Sequence, residues 1–143
     1  TGPLDQYFQY RHGKLGWRTI TLEFEHLNIP HFQKNSVVNY CDRDVNYTRI
    51  HEFKYLHPER SYGSESTIIA REYSSFATTP VDCHYPINSK NDRELLIKYR
   101  KDCLQEKNVL FGGRLGTYKY LDMHMAIGSA IQMFNSKIRK RFS

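Results

Sequence analysis

The predicted fold depends on residues 112–123, which read Gly112-Gly113-Arg114-Leu115-Gly116-Thr117-Tyr118-Lys119-Tyr120-Leu121-Asp122-Met123. They follow a short apolar run, Val109-Leu110-Phe111, which we predict to be a β-strand. They lead into apolar residues at helical spacing that end near Arg141, with Asp122 placed to be the N-cap. A glycine turn, a fixed arginine and a helix N-terminus together bring backbone donors and a cation to one anionic ligand. We therefore expect a phosphorylated or flavin-like ligand beside this stretch.

The glycines by themselves do not identify that ligand. Gly112, Gly113 and Gly116 lack the spacing of the dinucleotide-binding fingerprint, and no strand-helix-strand nucleotide-binding unit surrounds them. A strand-to-helix turn that simply requires glycines is an equally good interpretation. The choice between the two depends on the rest of the chain.

The composition is that of one soluble globular domain. The chain has 143 residues, of which 39% are hydrophobic and 25% are charged, and a chain of this size buries a substantial core. No apolar run is long enough to span a bilayer and the first residues do not form a signal peptide, so we expect a cytoplasmic protein. The chain starts with Thr1 rather than Met, and we interpret it as a fragment of a longer protein.

Three common kinds of site find no support in the residue pattern. Cys41, Cys83 and Cys103 are odd in number and form no Cys-x-x-Cys pair, which argues against a disulfide framework and a structural zinc site. The histidines form no His-x-x-x-His pair, so no metal site is predicted. No serine lies in a Gly-x-Ser-x-Gly elbow and no cysteine has an activating setting, so hydrolase chemistry is not indicated.

The charge and the aromatic content favour an anionic partner. The net charge is +6, and the chain has 11 tyrosines and 8 phenylalanines. Such residues suit either a nucleic-acid surface or a pocket for sugars and phosphates.

Short alternating segments predict an antiparallel sheet, and the helices beside it make the expected fold class α+β. In the first strand, alternation places Ile20, Leu22 and Phe24 on the apolar face that we expect to be buried. A capping box at Asn91 and Glu94 predicts a helix that ends before Asn108. The predicted strands are Trp17–Phe24, Ser36–Tyr40, Tyr47–Tyr55 and Thr67–Ser74.

Arg49 lies in the middle of the predicted strand Tyr47–Tyr55, on the face that it shares with His51. An unpaired cation there would be costly if it were buried, so we expect an anion beside it. A cross-strand Glu72 is one candidate and a ligand phosphate is the other, and the pattern does not choose between them. Tyr85 likewise has two interpretations, a packed strand tyrosine or a hydroxyl offered to that phosphate.

Several motifs in unbroken order give the chain a family resemblance. From Thr1 to about Phe134 it resembles UDP-galactopyranose mutase, especially the bacterial type. The motifs that carry the resemblance are Thr1-Gly2-Pro3-Leu4-Asp5-Gln6-Tyr7-Phe8, Gly13-Lys14-Leu15-Gly16-Trp17-Arg18-Thr19, Asn39-Tyr40, Tyr47-Thr48-Arg49-Ile50-His51-Glu52, Arg71-Glu72-Tyr73-Ser74, Tyr85-Pro86-Ile87 and Gly113-Arg114-Leu115-Gly116-Thr117-Tyr118-Lys119-Tyr120-Leu121-Asp122-Met123.

The resemblance implies a flavoenzyme that interconverts UDP-galactopyranose and UDP-galactofuranose, the sugar donor for bacterial cell-surface galactofuran. It implies that reduced FAD attacks the anomeric carbon through N5 and displaces UDP, and that the sugar changes ring size as a flavin N5-sugar adduct without net redox change. Because the flavin is the nucleophile, no catalytic side chain is predicted.

The resemblance also implies which residues bind substrate and which bind cofactor. Arg49 matches the arginine that binds the substrate diphosphate, and Tyr85 and Tyr120 match tyrosines that hydrogen-bond the same phosphates. Asn39 and Glu72 match residues that line the substrate pocket. The residues expected beside FAD are Gly113, Arg114, Leu121, Asp122, Met123, His124, Met125, Ala126 and Ile127.

The expected domain has two consecutive parts. Residues from about 15 to 90 would form the substrate-binding antiparallel sheet, and residues 91–143 would form a helix, the Val109 strand and the flavin-side helix that completes an FAD-binding domain. The N-terminal FAD-binding part would precede Thr1, so we expect the isolated chain to be inactive. The resemblance is compatible with a homodimeric parent protein.

Two other functions stay open from the sequence. The net charge and the tyrosines are compatible with a non-enzymatic module that binds nucleic acid or polyphosphate. A different flavin oxidoreductase, such as an oxidase or a hydroxylase, is the other alternative.

Overall fold

The structure is a computed structural model that describes residues 2–63 and 65–139. It contains both helices and an antiparallel sheet, which confirms the α+β class. The helices are α1 (Leu4–Tyr7), α2 (Lys90–Cys103), α3 (Gly113–Thr117) and α4 (Met123–Met133), with a π-helical continuation at Phe134–Ile138. The strands are β1 (Trp17–Leu27), β2 (Val37–Asn39), β3 (Arg49–Glu52), β4 (Thr67–Phe76) and β5 (Tyr85–Pro86), and short 3-10 turns lie at Phe53–Leu56 and Pro80–Asp82.

The five strands form one sheet in the order β2-β3-β4-β1-β5. β2 pairs antiparallel with β3, β3 with β4, and β1 with β5, which confirms the predicted antiparallel sheet, although β5 was not among the predicted strands. Among the described residues, no helix has the length and apolar composition that crossing a membrane requires.

The chain divides into two compact units. The first, here the helical unit, consists of the described residues of Thr1–Thr19 and Phe76–Ser143, and the second, the sheet unit, is Ile20–Ser75. Aromatic packing dominates the core of the helical unit: Trp17 meets Tyr118 edge to face with ring centroids 4.8 Å apart, and Phe8 stacks on Tyr99 at 5.8 Å. The buried residues of this core are Leu4, Phe8, Leu15, Trp17, Leu95, Leu96, Tyr99 and Tyr118.

Helix α2 does not begin where the sequence predicted. Its N-cap is Ser89, which accepts a hydrogen bond from the Asp92 N–H, and the Asp92 carboxylate accepts from the Ser89 N–H in return. The prediction of a capping box at Asn91 and Glu94 is therefore wrong. The reason is tertiary, because Asp92 is buried and also accepts the Gly16 N–H at 2.8 Å, which fixes Asp92 as the third residue of the helix.

The apolar run before the glycines is not a strand, so the predicted strand-turn-helix is wrong at its first element. Residues 109–111 form no regular secondary structure, and Phe111 instead packs on the helical core, with its ring centroid 5.6 Å from that of Phe8. The glycine segment forms the short helix α3, which starts at Gly113 with a φ of 73°. It ends at Tyr118, whose hydroxyl donates to the Gly16 carbonyl at 2.6 Å.

The first strand is longer than predicted, and its buried residues lie only at its start, not on the predicted face. Trp17 and Thr19 are buried, whereas Leu22 is 37% exposed and Phe24 is 66% exposed. Trp17 belongs to the buried core of the helical unit, whereas the side chains of both faces are exposed from Thr21 to Phe24. The predicted face of Ile20, Leu22 and Phe24 as the buried one is thus wrong.

The third strand has the predicted faces but ends early, because a 3-10 turn begins at Phe53. Ile50 and Glu52 are buried on one face, and Arg49 and His51 lie on the other. The final helix reaches Met133 and continues through the π-helical segment. Its predicted end near Arg141 lies outside the described residues.

Candidate functional site

A buried carboxylate organises one face of the sheet unit. Glu72 on β4 has only 9% of its side chain exposed. Its Oε1 accepts a hydrogen bond from the Thr48 hydroxyl at 3.2 Å and lies 3.3 Å from the Arg49 Nε, and its Oε2 lies 3.2 Å from the His51 Nε2. One carboxylate therefore holds two basic side chains of β3 in fixed positions.

The pairing of three strands places three predicted substrate residues side by side. Asn39 on β2 is directly opposite Arg49 on β3, and Arg49 is directly opposite Glu72 on β4. Residues directly opposite each other in an antiparallel sheet project from the same face. We call Asn39, Arg49 and Glu72 the cross-strand row.

Arg49 combines a buried end with an exposed end. Its Nε is buried and forms an ion pair with Glu72 but has no hydrogen bond of good geometry, while 41% of the side chain is exposed. The cross-strand partner that the sequence offered as one interpretation is therefore present. It occupies one nitrogen of the guanidinium, and a guanidinium has five N–H donors, so the ion pair does not exclude an anionic ligand.

A second cluster lies in the helical unit and contains the two predicted tyrosines. The rings of Tyr85 and Tyr120 stack with centroids 5.9 Å apart and planes inclined by 23°. The Arg114 guanidinium carbon lies 5.1 Å from the centroid of Tyr85 and 4.9 Å from that of Tyr120. Arg114 also donates hydrogen bonds to the carbonyls of His84 at 3.2 Å and Leu121 at 2.7 Å. We call Tyr85, Arg114 and Tyr120 the Arg114 cluster.

Tyr120 also borders a groove of about 630 Å³ in the helical unit. Three cations, Arg93, Arg100 and Lys119, line this groove. Its aliphatic lining consists of Pro86, Leu96, Ile97, Leu121 and Met125. A groove of this size with several cations is chemically suited to an anionic ligand.

The residues predicted to bind flavin lie before and within the first turns of α4. Leu121 and Asp122 precede the helix, and Asp122 is its N-cap by position but its side chain makes no capping hydrogen bond. No residue of α4 is buried, and Met123 and Ile127 are 86% and 62% exposed. The N-terminal turn of α4 therefore presents an apolar surface next to a positive helix end. His124, Met125 and Ala126 lie on the same turns, and Gly113 and Arg114 begin α3.

The structure thus groups the predicted substrate residues into two sets. Asn39, Arg49 and Glu72 form the cross-strand row of the sheet unit, and Tyr85 and Tyr120 belong to the Arg114 cluster of the helical unit.

Sequence reasoning assigned no role to Thr48 or His51, although both contact Glu72. Strand alternation had placed His51 on the face of Arg49, and that signal was sufficient to find it. Thr48 precedes β3, and no periodicity pointed to it.

Cys83 and Cys103 are not activated as thiolates. Burial raises the pKa of the Cys83 thiol to about 11 and also raises the pKa of Cys103, so both thiols are protonated near neutral pH. Within residues 2–63 and 65–139, no three His, Cys, Asp or Glu side chains are grouped so that they could hold a metal ion.

Comparison with known proteins gives a consistent set of relatives. The family model of UDP-galactopyranose mutase matches residues 1–120. The chain is 42% identical over 133 residues to a probable UDP-galactopyranose mutase of Klebsiella pneumoniae, a match that covers 92% of this chain and 34% of the relative. It is 33% identical over 132 residues to the dTDP-fucopyranose mutase of Escherichia coli, covering 92% of this chain and 34% of that protein. A UDP-galactopyranose mutase of Mycoplasma genitalium is 30% identical over 129 residues, covering 88% and 32% respectively. The chain spans about a third of the length of these relatives.

Proposed function

Because this chain belongs to the UDP-galactopyranose mutase family, we propose that it is part of a flavin-dependent isomerase that interconverts UDP-galactopyranose and UDP-galactofuranose. Its relatives are sugar-nucleotide pyranose mutases, an isomerase class. The observation that carries the proposal is the cross-strand row, which aligns Asn39, Arg49 and Glu72 on one sheet face. The proposed role is the supply of galactofuranose for bacterial surface polymers, in the cytoplasm.

Arg49 would bind the diphosphate of the sugar nucleotide. Its Nε is held by Glu72, while the exposed part of its side chain is available to a ligand. A guanidinium fixed in this way binds phosphate oxygens through charge-assisted hydrogen bonds without losing much side-chain entropy. Asn39, which is exposed at the end of β2, would contact the sugar or the phosphate from the neighbouring position.

Tyr85 and Tyr120 would donate hydrogen bonds from their hydroxyl groups to phosphate oxygens of the sugar nucleotide. Their rings are stacked, so the two hydroxyl groups have a fixed relation to each other. Tyr120 is 56% exposed and borders the cationic groove, which makes its hydroxyl accessible.

The residues at the start of α4 fit a reduced flavin. The exposed side chains of Met123 and Ile127 offer an apolar surface to a ring system, and the helix N-terminus stabilises the negative charge of its reduced form. When bound, reduced FAD supplies the nucleophilic nitrogen that attacks the anomeric carbon. The task of this chain's residues is then to hold the diphosphate and to orient the sugar. The start of α4 would complete the wall of an FAD-binding domain.

A second candidate substrate comes from the Escherichia coli relative, which is a dTDP-fucopyranose mutase. We favour the UDP-galactose reaction because the Klebsiella pneumoniae relative is 42% identical to this chain, against 33% for the dTDP-fucopyranose mutase.

The test is a turnover assay on the product of the complete gene. The protein is reduced with dithionite, incubated with UDP-galactofuranose or with dTDP-fucofuranose, and the products are separated by chromatography. We expect conversion of UDP-galactofuranose to UDP-galactopyranose, with activity lost in the oxidised protein. Turnover of dTDP-fucofuranose alone would transfer the assignment to the second candidate. Stoichiometric oxygen consumption would instead indicate an oxidase or a hydroxylase, and salt-sensitive DNA binding without turnover would support the nucleic-acid alternative.

The 143-residue chain on its own should neither retain FAD nor turn over substrate. It spans about a third of the relatives, and the flavin would meet only the start of α4 here. The measurement is the flavin absorbance of the purified chain, combined with the same turnover assay. Stoichiometric flavin together with activity would contradict this expectation.

We also propose a homodimer for the complete gene product, which analytical ultracentrifugation would test.

A further inference from the structure

Arg114 has more contacts within the chain than a freely presented cation would have. Its guanidinium lies over both rings of the stacked pair, 5.1 Å from the centroid of Tyr85 and 4.9 Å from that of Tyr120. Both distances are within the range of cation-π attraction. The guanidinium of Arg114 therefore contacts the rings of Tyr85 and Tyr120 within the chain.

The hydrogen bonds of Arg114 hold the backbone beside each tyrosine. Its Nη1 donates to the carbonyl of His84, the residue before Tyr85, at 3.2 Å. Its Nη2 donates to the carbonyl of Leu121, the residue after Tyr120, at 2.7 Å. One side chain thus connects two segments that are 35 residues apart in sequence, from Tyr85 to Tyr120, and it does so at the two tyrosines.

The side chain of His84 has two contacts of its own that hold this segment in place. The His84 Nδ1 lies 2.9 Å from the Thr19 hydroxyl and 3.0 Å from the Asp82 carbonyl. Arg114 is also held in place, because it lies in α3, whose following residue Tyr118 is buried and bonded to Gly16. Tyr85 is therefore restrained by the His84 segment and by its pairing with Arg18 in the sheet, while Arg114 contacts both the Tyr120 ring and the Leu121 carbonyl that follows it.

We propose that Arg114 is a positioning residue that sets the spacing and orientation of the Tyr85 and Tyr120 hydroxyl groups for the diphosphate of the substrate. The proposal rests on the proposed function, in which these hydroxyl groups bind phosphate. This role differs from that of a cation beside the flavin. Positioning the tyrosines requires the planar shape of the guanidinium, whereas stabilising a flavin would require only its positive charge. A lysine has the same charge but lacks the planar fork that reaches two carbonyls while it stacks on two rings.

Arg114→Lys and Arg114→Gln distinguish the two roles in the complete gene product. A positioning role predicts that both variants weaken UDP binding to a similar extent, by tenfold or more in the dissociation constant measured by isothermal titration calorimetry. Flavin occupancy and the midpoint potential of the flavin should stay at the wild-type values. Arg11→Lys is the matched control, because Arg11 in the same unit also combines a cation-π contact, with Phe8 at 4.6 Å, and a hydrogen bond, to the Asp102 carboxylate at 2.9 Å, and has no place in the proposed site. It should bind UDP as the wild type does.

A double-mutant cycle tests whether Arg114 acts through the tyrosines. In a Tyr85→Phe/Tyr120→Phe background the rings remain but the hydroxyl groups are lost, so Arg114→Lys should weaken UDP binding by less than twofold further. Full additivity of the changes would overturn the proposal. Wild-type UDP affinity in Arg114→Lys together with weakened affinity in Arg114→Gln would also overturn it. A positive charge at this position would then be sufficient for UDP binding. Failure of the wild-type protein to bind UDP would overturn the proposed function and this role together.

Discussion

Glu52 and Glu72 are both buried carboxylates of the sheet unit, but their oxygens have different partners. Glu52 accepts the backbone N–H groups of Phe32, Gln33 and Lys34 at 2.9 to 3.1 Å and the hydroxyl of Thr67 at 2.8 Å. Glu72 instead lies beside the basic side chains of Arg49 and His51. Glu72 is directly opposite Arg49 and lies on the same face of the sheet as Arg49. Glu52 lies on the other face of β3, so the two carboxylates are on opposite faces of the sheet.

The difference separates a structural carboxylate from one that we assign to the site. The oxygens of Glu52 are occupied by fixed donors of a loop, which leaves little for a ligand to contact. Glu72 orients an arginine that is 41% exposed and so retains a surface for an anion. Burial alone therefore does not distinguish the two carboxylates, whereas the exposure of their partners does.

The largest effect on stability is expected for Glu52→Ala. The change leaves three N–H groups and a hydroxyl without their acceptor, and we expect the free energy of unfolding to fall by about 3 kcal/mol. Glu52→Gln, which keeps the shape and one acceptor oxygen, should cost less. Urea denaturation of the complete gene product measures both. A Glu52→Ala protein as stable as the wild type would remove the structural half of the comparison.

Arg49→Ala should affect ligand binding rather than folding. It removes a charge-assisted contact worth about 1.5–3 kcal/mol, which corresponds to a loss of roughly 10- to 150-fold in UDP affinity. Arg71→Ala is the matched control, because Arg71 is the next residue along β4 from Glu72, on the opposite face, and pairs with Glu25. Isothermal titration with UDP should show the loss for Arg49→Ala alone, with flavin content unchanged in both proteins.

The acid stability of the sheet unit should depend on Glu52. Burial opposes ionisation of this carboxyl, but hydrogen bonds from Gln33, Phe32 and Thr67 outweigh it and lower its pKa below the ordinary 4.5. The stabilisation from ionised Glu52 is therefore complete above pH 4.5 and is lost as the pH falls through the lowered value. Wild type and Glu52→Gln should differ in their acid unfolding curves, monitored by circular dichroism. Identical curves would show that another group controls the transition.

The smallest effect is expected for Asp122, the N-cap residue of α4. The side chain of Asp122 makes no capping hydrogen bond, so Asp122→Ala should cost only about 0.5 kcal/mol through the helix dipole. Ser89→Ala removes half of a complete capping box and should cost about 1 kcal/mol. Urea denaturation ranks the two variants. An Asp122→Ala effect larger than that of Ser89→Ala would mean that Asp122 has a partner in the complete protein.

Strand alternation predicted the sheet and the faces of β3, because both depend on the local period of two residues. It did not predict that Asn39, Arg49 and Glu72 are aligned, since their alignment depends on the registers of two strand pairs. The sequence offered the pairing of Arg49 with Glu72 as one of two interpretations, and nothing in it placed Asn39 beside them.

The errors arose where distant residues determine local structure. Asp92 rather than Glu94 closes the capping box because it also binds the Gly16 N–H. The run Val109-Leu110-Phe111 has strand composition, but Phe111 packs on Phe8 and Tyr7 instead of joining the sheet. The contacts of Arg114 with two tyrosines likewise join parts of the chain that no local pattern connects.

The most direct measurement is a UDP titration of the complete gene product and its Arg49→Ala and Glu52→Gln variants by isothermal titration calorimetry. The central claim is that the face of Arg49 and Glu72 binds the nucleotide diphosphate and that the face of Glu52 maintains the fold. It predicts binding by the wild type, unchanged affinity for Glu52→Gln and a loss of at least tenfold for Arg49→Ala. Wild-type affinity in Arg49→Ala, or an equal loss in both variants, would contradict the claim.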